Sequence, residues 1–195
     1  LQDGGNTISL SGNILGSGTH ASTGVGRIFM NVNGSTISGA TLGNLYLNQT
    51  GVISLSGAPT VNGTLTIQNG GGSASLETSG NTHTAASDVS TSSWLTITGT
   101  GKLKMTGASA ILGGNASTSI SNFEVPVGIL INHTGSLAIT NDLTVDGIFN
   151  LANIGSTCTV SGNVLGTGTI SASGILKMSA PNKTISGIST VRSAA

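Results

Sequence analysis

Charged and aromatic residues are scarce in this chain of 195 residues. Six Lys or Arg residues balance six Asp or Glu residues, and charged residues make up only 6% of the chain. About 25% is usual for soluble domains. Without a basic surface, the chain lacks the electrostatic attraction that nucleic-acid and anionic-membrane binders use. Since aromatic residues are only 3%, the core must consist of Ile, Leu, Val, Ala and Met. We therefore expect no nucleic-acid partner.

Cysteine, proline and long apolar runs are also scarce. Cys158 is the single cysteine, so an internal disulfide is excluded and a buried small side chain is expected there. No apolar run approaches the roughly 18 residues that span a bilayer, so membrane insertion is not expected. The first residues lack the charged and apolar regions of a signal peptide. We expect a mature product or a segment of a longer chain, and the three prolines and zero net charge argue against disorder.

Imperfect long-range repeats are the main positive feature. Gly101-Lys102-Leu103-Lys104-Met105 returns as Gly174-Ile175-Leu176-Lys177-Met178, and the segment from Leu42 to Ile67 returns 84 positions later. The two kinds of block follow each other in tandem along the chain. Tandem repeats of this kind are typical of a solenoid, in which each unit stacks on the next. A β-sandwich and an up-and-down barrel are the competing all-β folds, because Asn-Gly pairs also suit hairpins.

Short aliphatic runs that alternate with Ser and Thr predict strands throughout. Strong strands recur about every 18 to 20 positions. The sequence therefore predicts one all-β domain over residues 1–195, a single parallel β-helix (β-solenoid) of roughly 18–25 residues per coil. Residues 70–93 carry few aliphatic side chains, so we expect a loop excursion there. Asn13, Asn48, Asn132 and Asn163 recur at equivalent points and are predicted turn residues.

The alternation also predicts which side chains face the core. Because Lys102 and Lys104 must face solvent, Leu103 and Met105 must face inward, as must their counterparts in the other copies. Those counterparts are Ile28, Met30, Leu176 and Met178. The same logic places Phe149 inside.

Catalytic chemistry has little support in the sequence. A polysaccharide lyase or hydrolase of tailspike type would need carboxylates to converge from among Glu77, Asp88, Glu124, Asp142 and Asp146. Asp142 and Asp146 are close in sequence, but they align with Ala58 and Asn62 in the other copy, which predicts turn residues. The three histidines and one cysteine have no metal-ligand or nucleophile spacing. We predict no enzyme activity, no catalytic residue, no metal and no cofactor.

Two binding functions remain as hypotheses. Thr-x-Thr motifs at Thr64, Thr82, Thr96, Thr98, Thr157 and Thr167 suggest an ice-binding face, but they do not recur at one spacing. Phe29, Tyr46 and Trp94 are predicted to point outward, where exposed rings could stack on sugars. These three aromatic residues are the candidate ligand-binding residues.

Several phrases resemble the repeat arrays of large secreted surface proteins of Bacteroidota. They are Gly4-Gly5-Asn6-Thr7-Ile8-Ser9-Leu10-Ser11-Gly12-Asn13-Ile14, Gly16-Ser17-Gly18-Thr19-His20, Thr36-Ile37-Ser38-Gly39 and Gly57-Ala58-Pro59-Thr60-Val61-Asn62-Gly63-Thr64-Leu65-Thr66. The resemblance covers nearly the whole chain apart from residues 70–93. It implies an extracellular or cell-surface, adhesin-like β-solenoid, displayed on the cell or built into a filament, and it brings no catalytic residues. Expected partners are other copies stacked end to end or a longer parent chain, with surface glycans as a candidate ligand.

Overall fold

The computed structural model describes residues 1–31, 33–48, 52–68, 74–78, 80–91, 95–114, 118–189 and 191–193. These residues form 26 strands, numbered β1 to β26 in chain order, and no helix. No described residue therefore belongs to a helix long and apolar enough to cross a membrane.

The strands form three parallel sheets of 10, 9 and 7 strands, and each complete coil of the chain gives one strand to each sheet in turn. Sheet 1 consists of β1 (Thr7–Leu10), β3 (Arg27–Met30), β6 (Leu45–Asn48), β9 (Leu65–Gln68), β12 (Val89–Thr91), β15 (Ala110–Gly114), β18 (Leu130–Thr134), β21 (Ile148–Leu151), β24 (Thr169–Ala172) and β26 (Val191–Ser193). Sheet 2 consists of β2 (Ile14–Leu15), β4 (Thr36–Ser38), β7 (Val52–Ser56), β10 (Ala74–Glu77), β13 (Leu95–Thr98), β16 (Thr118–Ile120), β19 (Ser136–Ile139), β22 (Thr157–Val160) and β25 (Ile175–Met178). Sheet 3 consists of β5 (Thr41–Leu42), β8 (Thr60–Val61), β11 (Thr82–Ala85), β14 (Lys102–Met105), β17 (Phe123–Val125), β20 (Leu143–Val145) and β23 (Val164–Leu165).

This arrangement confirms the predicted β-solenoid. It makes about 8 turns of roughly 20 residues each. The shortest step in sheet 1 takes Ile28 to Leu45, 17 positions on, and the longest takes Leu65 to Val89, 24 positions on. Every strand pairs with the strand one coil before or after it, so the hydrogen bonds run along the solenoid axis.

The predicted loop excursion near residues 70–93 needs correction in its described part. Residues 74–77, 82–85 and 89–91 are strands in sheets 2, 3 and 1, with regular parallel partners on both sides. The strand residues His83 and Ala85 face the core, and so does Val89. The segment looked like a loop because Thr, Ser and a histidine stand where aliphatic residues stand elsewhere. Its extra length appears as the longer coils of this region.

The core is a column of side chains enclosed by the three sheets. Ile28, Met30, Leu103 and Met105 are buried as predicted, and Phe149 is fully buried. Leu176 and Met178, in the last complete coil, are partly buried and pack against the core. Phe149 meets Phe123 edge to face, with ring centroids 5.7 Å apart.

The repeat offset of 84 holds along only one of the three sheets. In sheet 3, Val61 and Val145 share one axial row, as that offset requires. In sheet 1, the row that begins at Leu45 reaches His133, which stands 88 positions later. The alignment therefore identified equivalent coils, but it did not give the register of sheet 1.

Side chains at the corners between strands tie successive coils together. Asn122 Oδ1 accepts the Asp142 amide at 3.2 Å, Asp142 Oδ1 accepts the Asn163 amide at 2.7 Å, and Asn163 Oδ1 accepts the Thr184 amide at 3.2 Å. We call these four residues the corner ladder. They satisfy amides that the strand pairing leaves free.

The predicted Asn turn positions are half right. Asn13 and Asn163 both lie at corners, and the Asn13 side chain likewise accepts an amide of the next coil, that of Thr36 at 2.8 Å. Asn48 and Asn132 lie within strands instead. Asn132 is nevertheless part of a side-chain ladder, because its Oδ1 accepts a hydrogen bond from Asn150 Nδ2 at 2.8 Å.

Candidate functional site

Phe29 and Tyr46 form an aromatic pair on the outer face of sheet 1. They are register partners in β3 and β6, and the alternation that buries Leu45 and Leu47 turns Tyr46 outward. Their ring centroids are 5.3 Å apart and the ring planes differ by 24°. Two of the three predicted ligand-binding aromatic residues are thus brought together. The third, Trp94, lies outside the described residues.

Arg27 completes the cluster, which we call the aromatic platform (Arg27, Phe29 and Tyr46). Its guanidinium carbon lies 4.5 Å from the centroid of the Tyr46 ring, within the range of a cation–π contact. Sequence reasoning missed Arg27. The available signal was its position two residues before Phe29 in the same strand, which puts both side chains on one face.

An open groove runs beside the platform. Its volume is about 300 Å³, and its lining comes from three successive coils. This volume is at the lower end of the 300–1,000 Å³ range of small-ligand sites. The lining residues are Gly24, Val25, Arg27, Asn44, Leu45, Tyr46, Thr64 and Thr66. Beyond Tyr46 the outward row of sheet 1 continues as Thr66 and Ser90. The axial neighbours that follow the Tyr46 ring in this row are therefore small side chains.

Asn44 fixes the backbone at the edge of the groove. Its Nδ2 donates to the Gly26 carbonyl at 2.8 Å, and its Oδ1 accepts the Thr64 amide at 2.9 Å. It therefore joins three coils at the corner that precedes sheet 1. Since the platform residues follow that corner directly, their backbone is held in a defined position.

A second polar cluster lies on sheet 3. Lys102 Nζ and Lys104 Nζ contact the two Glu124 oxygens at 2.7 and 2.8 Å. Burial alone would raise the pKa of Glu124, but the hydrogen bonds and charges of the two lysines outweigh it and lower that pKa. Glu124 is thus an ionised partner of two outward lysines. The prediction that Lys102 and Lys104 point outward is confirmed.

The other acidic residues that the sequence offered for catalysis have backbone or hydroxyl partners. Asp142 and Asp146 lie at corners, as expected of turn residues, and Asp146 Oδ1 accepts the Thr167 amide at 3.0 Å. Asp88 accepts the Ile111 amide at 2.8 Å, and Glu77 accepts the Ser54 hydroxyl at 3.4 Å. Across the described ranges, no group of three or more His, Cys, Asp or Glu side chains could hold a metal ion.

Threonines do share an outward row on sheet 2. Thr96 of β13 and Thr159 of β22 lie in one axial row, separated by Ser119 and Ala138. The Thr-x-Thr motifs are thus present on one face in two coils, and the coils between them carry smaller side chains.

The first coil contains a buried polar cluster. Asp3 Oδ2 lies 3.3 Å from His20 Nε2, and Asp3 Oδ1 accepts the amides of Gly5 and Thr23 at 2.9 and 3.0 Å. Burial would raise the pKa of Asp3, but those amides, the Ser22 hydroxyl and His20 together lower it. The His20 Nδ1 accepts the Gly43 amide at 3.3 Å. One ring nitrogen of His20 thus accepts a hydrogen bond and the other lies close to the Asp3 carboxylate, so the cluster joins the first coils.

His83, His133 and Cys158 are buried in the solenoid interior. His83 Nε2 lies 2.9 Å from the Thr78 carbonyl, and His133 Nδ1 lies 2.8 Å from the Leu112 carbonyl. Burial lowers the pKa of both histidines, and backbone hydrogen bonds offset this only in part. Burial raises the pKa of Cys158 to about 12, which agrees with a buried small side chain. All three groups are uncharged at neutral pH.

Searches of protein-family models, curated proteins and solved structures found no match to this chain. Its function must therefore be argued from the geometry of its own surface. Among the described residues, the aromatic platform and its groove combine half-buried, outward-facing rings, a cation and an open cleft.

Proposed function

We propose that this protein is an extracellular structural or adhesive β-solenoid, located at the cell surface or within a filament, that contacts glycans through the aromatic platform. The observation that carries the proposal is the outward Phe29–Tyr46 pair beside an open groove. Aromatic rings pack well against the apolar C–H faces of sugars, while hydroxyl groups at the rim of a site can bond the sugar hydroxyls. Thr64 and Thr66 supply such hydroxyl groups in the groove lining.

The scaffold supports a mechanical role in the same setting. Surface polarity comes from Ser, Thr and Asn rather than charge, and the core is continuous through the stacked coils. Repeat stacks of this kind form long surfaces on which ligand sites can be spaced. The resemblance to secreted surface proteins supports an extracellular location.

Binding to a glycan array tests the adhesive part of the proposal. Wild-type protein should bind a subset of glycans, and the Phe29→Ala/Tyr46→Ala double variant should lose that binding. Removing two stacked aromatic contacts, each worth about 0.5–1.5 kcal/mol, predicts a loss of roughly 5- to 150-fold in affinity. Ile154→Ala is the control, because Ile154 is 92% exposed outside the platform. Binding that survives the double variant would refute the proposed site.

The first coil suggests how the solenoid joins other coils. A wide depression there is lined by Leu10, Ile14, Leu15 and Ile28, with Leu15 68% exposed. We propose that a further coil covers this apolar surface, supplied by a longer parent chain or by another copy stacked end to end. Electron microscopy of the purified 195-residue protein distinguishes these cases. Filaments would support end-to-end stacking of copies, whereas single short rods at all concentrations would oppose it and leave the parent chain as the source.

A further inference from the structure

We propose that Arg27 directs the aromatic platform toward anionic sugars, meaning glycans that carry a carboxylate or sulfate group beside a ring that can stack. This inference rests on the proposed glycan-binding function and specifies its ligand class.

The charge of the groove supports this assignment. Arg27 is the one charged residue in the groove lining, whose other members are Gly, Val, Leu, Asn, Tyr and Thr. Within the described part of the chain, no carboxylate lies within 4.0 Å of its guanidinium, because the ion pairs found there involve His20, Lys102 and Lys104. The groove therefore carries an uncompensated positive charge, although the whole chain is neutral. An anionic ligand is the complement of that charge.

The hydrogen-bonding capacity of Arg27 points the same way. A guanidinium has five N–H donors in a planar fork that matches a carboxylate or sulfate group. The Arg27 Nε is itself buried and has no hydrogen-bond partner, so a ligand in the groove would be bound by the terminal N–H groups of the fork. The contact with the Tyr46 ring, at 4.5 Å, holds the guanidinium at the edge of the groove.

The geometry places charge recognition and stacking within reach of one ligand. Arg27 and Phe29 are two positions apart in β3, and Tyr46 is the axial neighbour of Phe29. Alternate residues on one face of a strand lie about 7 Å apart, close to the span of a single sugar ring with its charged substituent. One anionic sugar can therefore contact an aromatic ring and the guanidinium together.

The test compares oligogalacturonate with its fully methyl-esterified form, which has the same sugar rings without the charge, and with a sulfated galactan oligosaccharide. Affinities are measured by calorimetry at about 20 mM salt, where Coulomb attraction is least screened. A charge-assisted hydrogen bond is worth about 1.5–3 kcal/mol, so the acid should bind roughly 10- to 150-fold more tightly than its ester. If the sulfated oligosaccharide binds and the galacturonate does not, the anion recognised is sulfate; the reverse result identifies a carboxylate.

Variants separate this inference from the function on which it rests. Arg27→Gln should abolish the preference for the acid over the ester while weak binding of the ester persists, and Arg27→Lys should retain part of the preference. Lys177→Gln, which removes an exposed positive charge from sheet 2, should leave the preference unchanged. If the wild type binds the neutral ester as tightly as both the acid and the sulfated oligosaccharide, the role of Arg27 is overturned and glycan binding stays intact. Failure of the wild type to bind any sugar would overturn the proposed function itself.

Discussion

We predict that acidification destabilises the solenoid through His83 and His133 at pH values where the carboxylates are still ionised. Both rings are buried and neutral, and burial lowers their pKa below the ordinary value of 6.5. Well above pH 6.5 both histidines are neutral in the folded and in the unfolded chain, so the free energy of unfolding has its full value. As the pH falls below 6.5, the unfolded chain takes up protons first, and stability is lost until the pH passes the lowered pKa of the folded state.

The size of the effect follows from the surroundings of each ring. One ring nitrogen of each histidine faces a backbone carbonyl, and the other, His83 Nδ1 or His133 Nε2, is buried without a hydrogen-bond partner of good geometry. Protonation would therefore place an unsatisfied N–H and a charge in the core. Because the unfolded chain protonates each histidine with a pKa of about 6.5, the free energy of unfolding can fall by at most about 1.4 kcal/mol per histidine between pH 7.5 and 5.5. For both histidines the limit is about 2.7 kcal/mol. The free energy of unfolding of a protein domain is about 5–15 kcal/mol, so a loss of this size is measurable.

Urea unfolding between pH 7.5 and 5.5 provides the assay. The wild-type free energy of unfolding should fall with decreasing pH, and His83→Leu/His133→Leu should flatten the curve. Leucine suits the second site, because the axial neighbours of His133 are Leu112 and Leu151. Cys158→Ala is the control, since it changes core packing without removing a group that titrates in this range. A wild-type curve that is flat from pH 7.5 to 5.5, or a slope that persists in the double variant, would refute the reasoning.

Three further predictions concern packing and the corners, each measured by urea unfolding at pH 7.5. Gly168→Ala should lower the free energy of unfolding by about 1–3 kcal/mol, because the added Cβ would collide with the Gly147 carbonyl. Gly12→Ala is the control and should lower it by less than about 0.5 kcal/mol, because a Cβ there meets nothing within 4 Å. Equal losses in the two variants would contradict the close approach of Gly168 to Gly147. Phe149→Ala should cost about 3–5 kcal/mol, as that ring is fully buried, and a loss below about 1 kcal/mol would show a loose core. Asp142→Ala should cost about 1–2 kcal/mol by leaving the next coil's amide without its acceptor. Asp142→Asn should restore most of that stability, and an Asn variant as unstable as the Ala variant would argue against the amide contact.

The sequence predicted the orientation of side chains better than their axial register. Four coils separate Leu45 from His133, and the 88 positions between them exceed the repeat offset of 84 because some coils in sheet 1 are longer. Both numbers are even, so an alignment that is wrong by four residues still assigns each side chain to the correct face of its strand. This is why Phe149, which the alignment matches with Leu65, is correctly placed inside.

The candidate site was only partly predictable for a related reason. Alternation identified Phe29 and Tyr46 as outward residues, but their contact depends on a 17-residue coil that places them in the same row. Nothing in a single sequence reports the length of one coil. Arg27 was missed because its role comes from its neighbours across the sheet. His83 and His133 were not predicted to be core residues. A polar side chain at an inward position interrupts the alternation of apolar and polar residues from which the core was predicted.

The strand order of the sheets has a mechanical consequence. Each strand bonds only to the coils before and after it, so tension applied at the two ends is carried by all the hydrogen-bond rows in series. The rows therefore break one coil at a time. Releasing a coil of about 20 residues frees roughly 70 Å of extended chain, while the rod shortens by only about 4.8 Å, the spacing between strands. We therefore expect a pulled molecule to yield in successive steps, and the length of each step would measure the coil that has just been released.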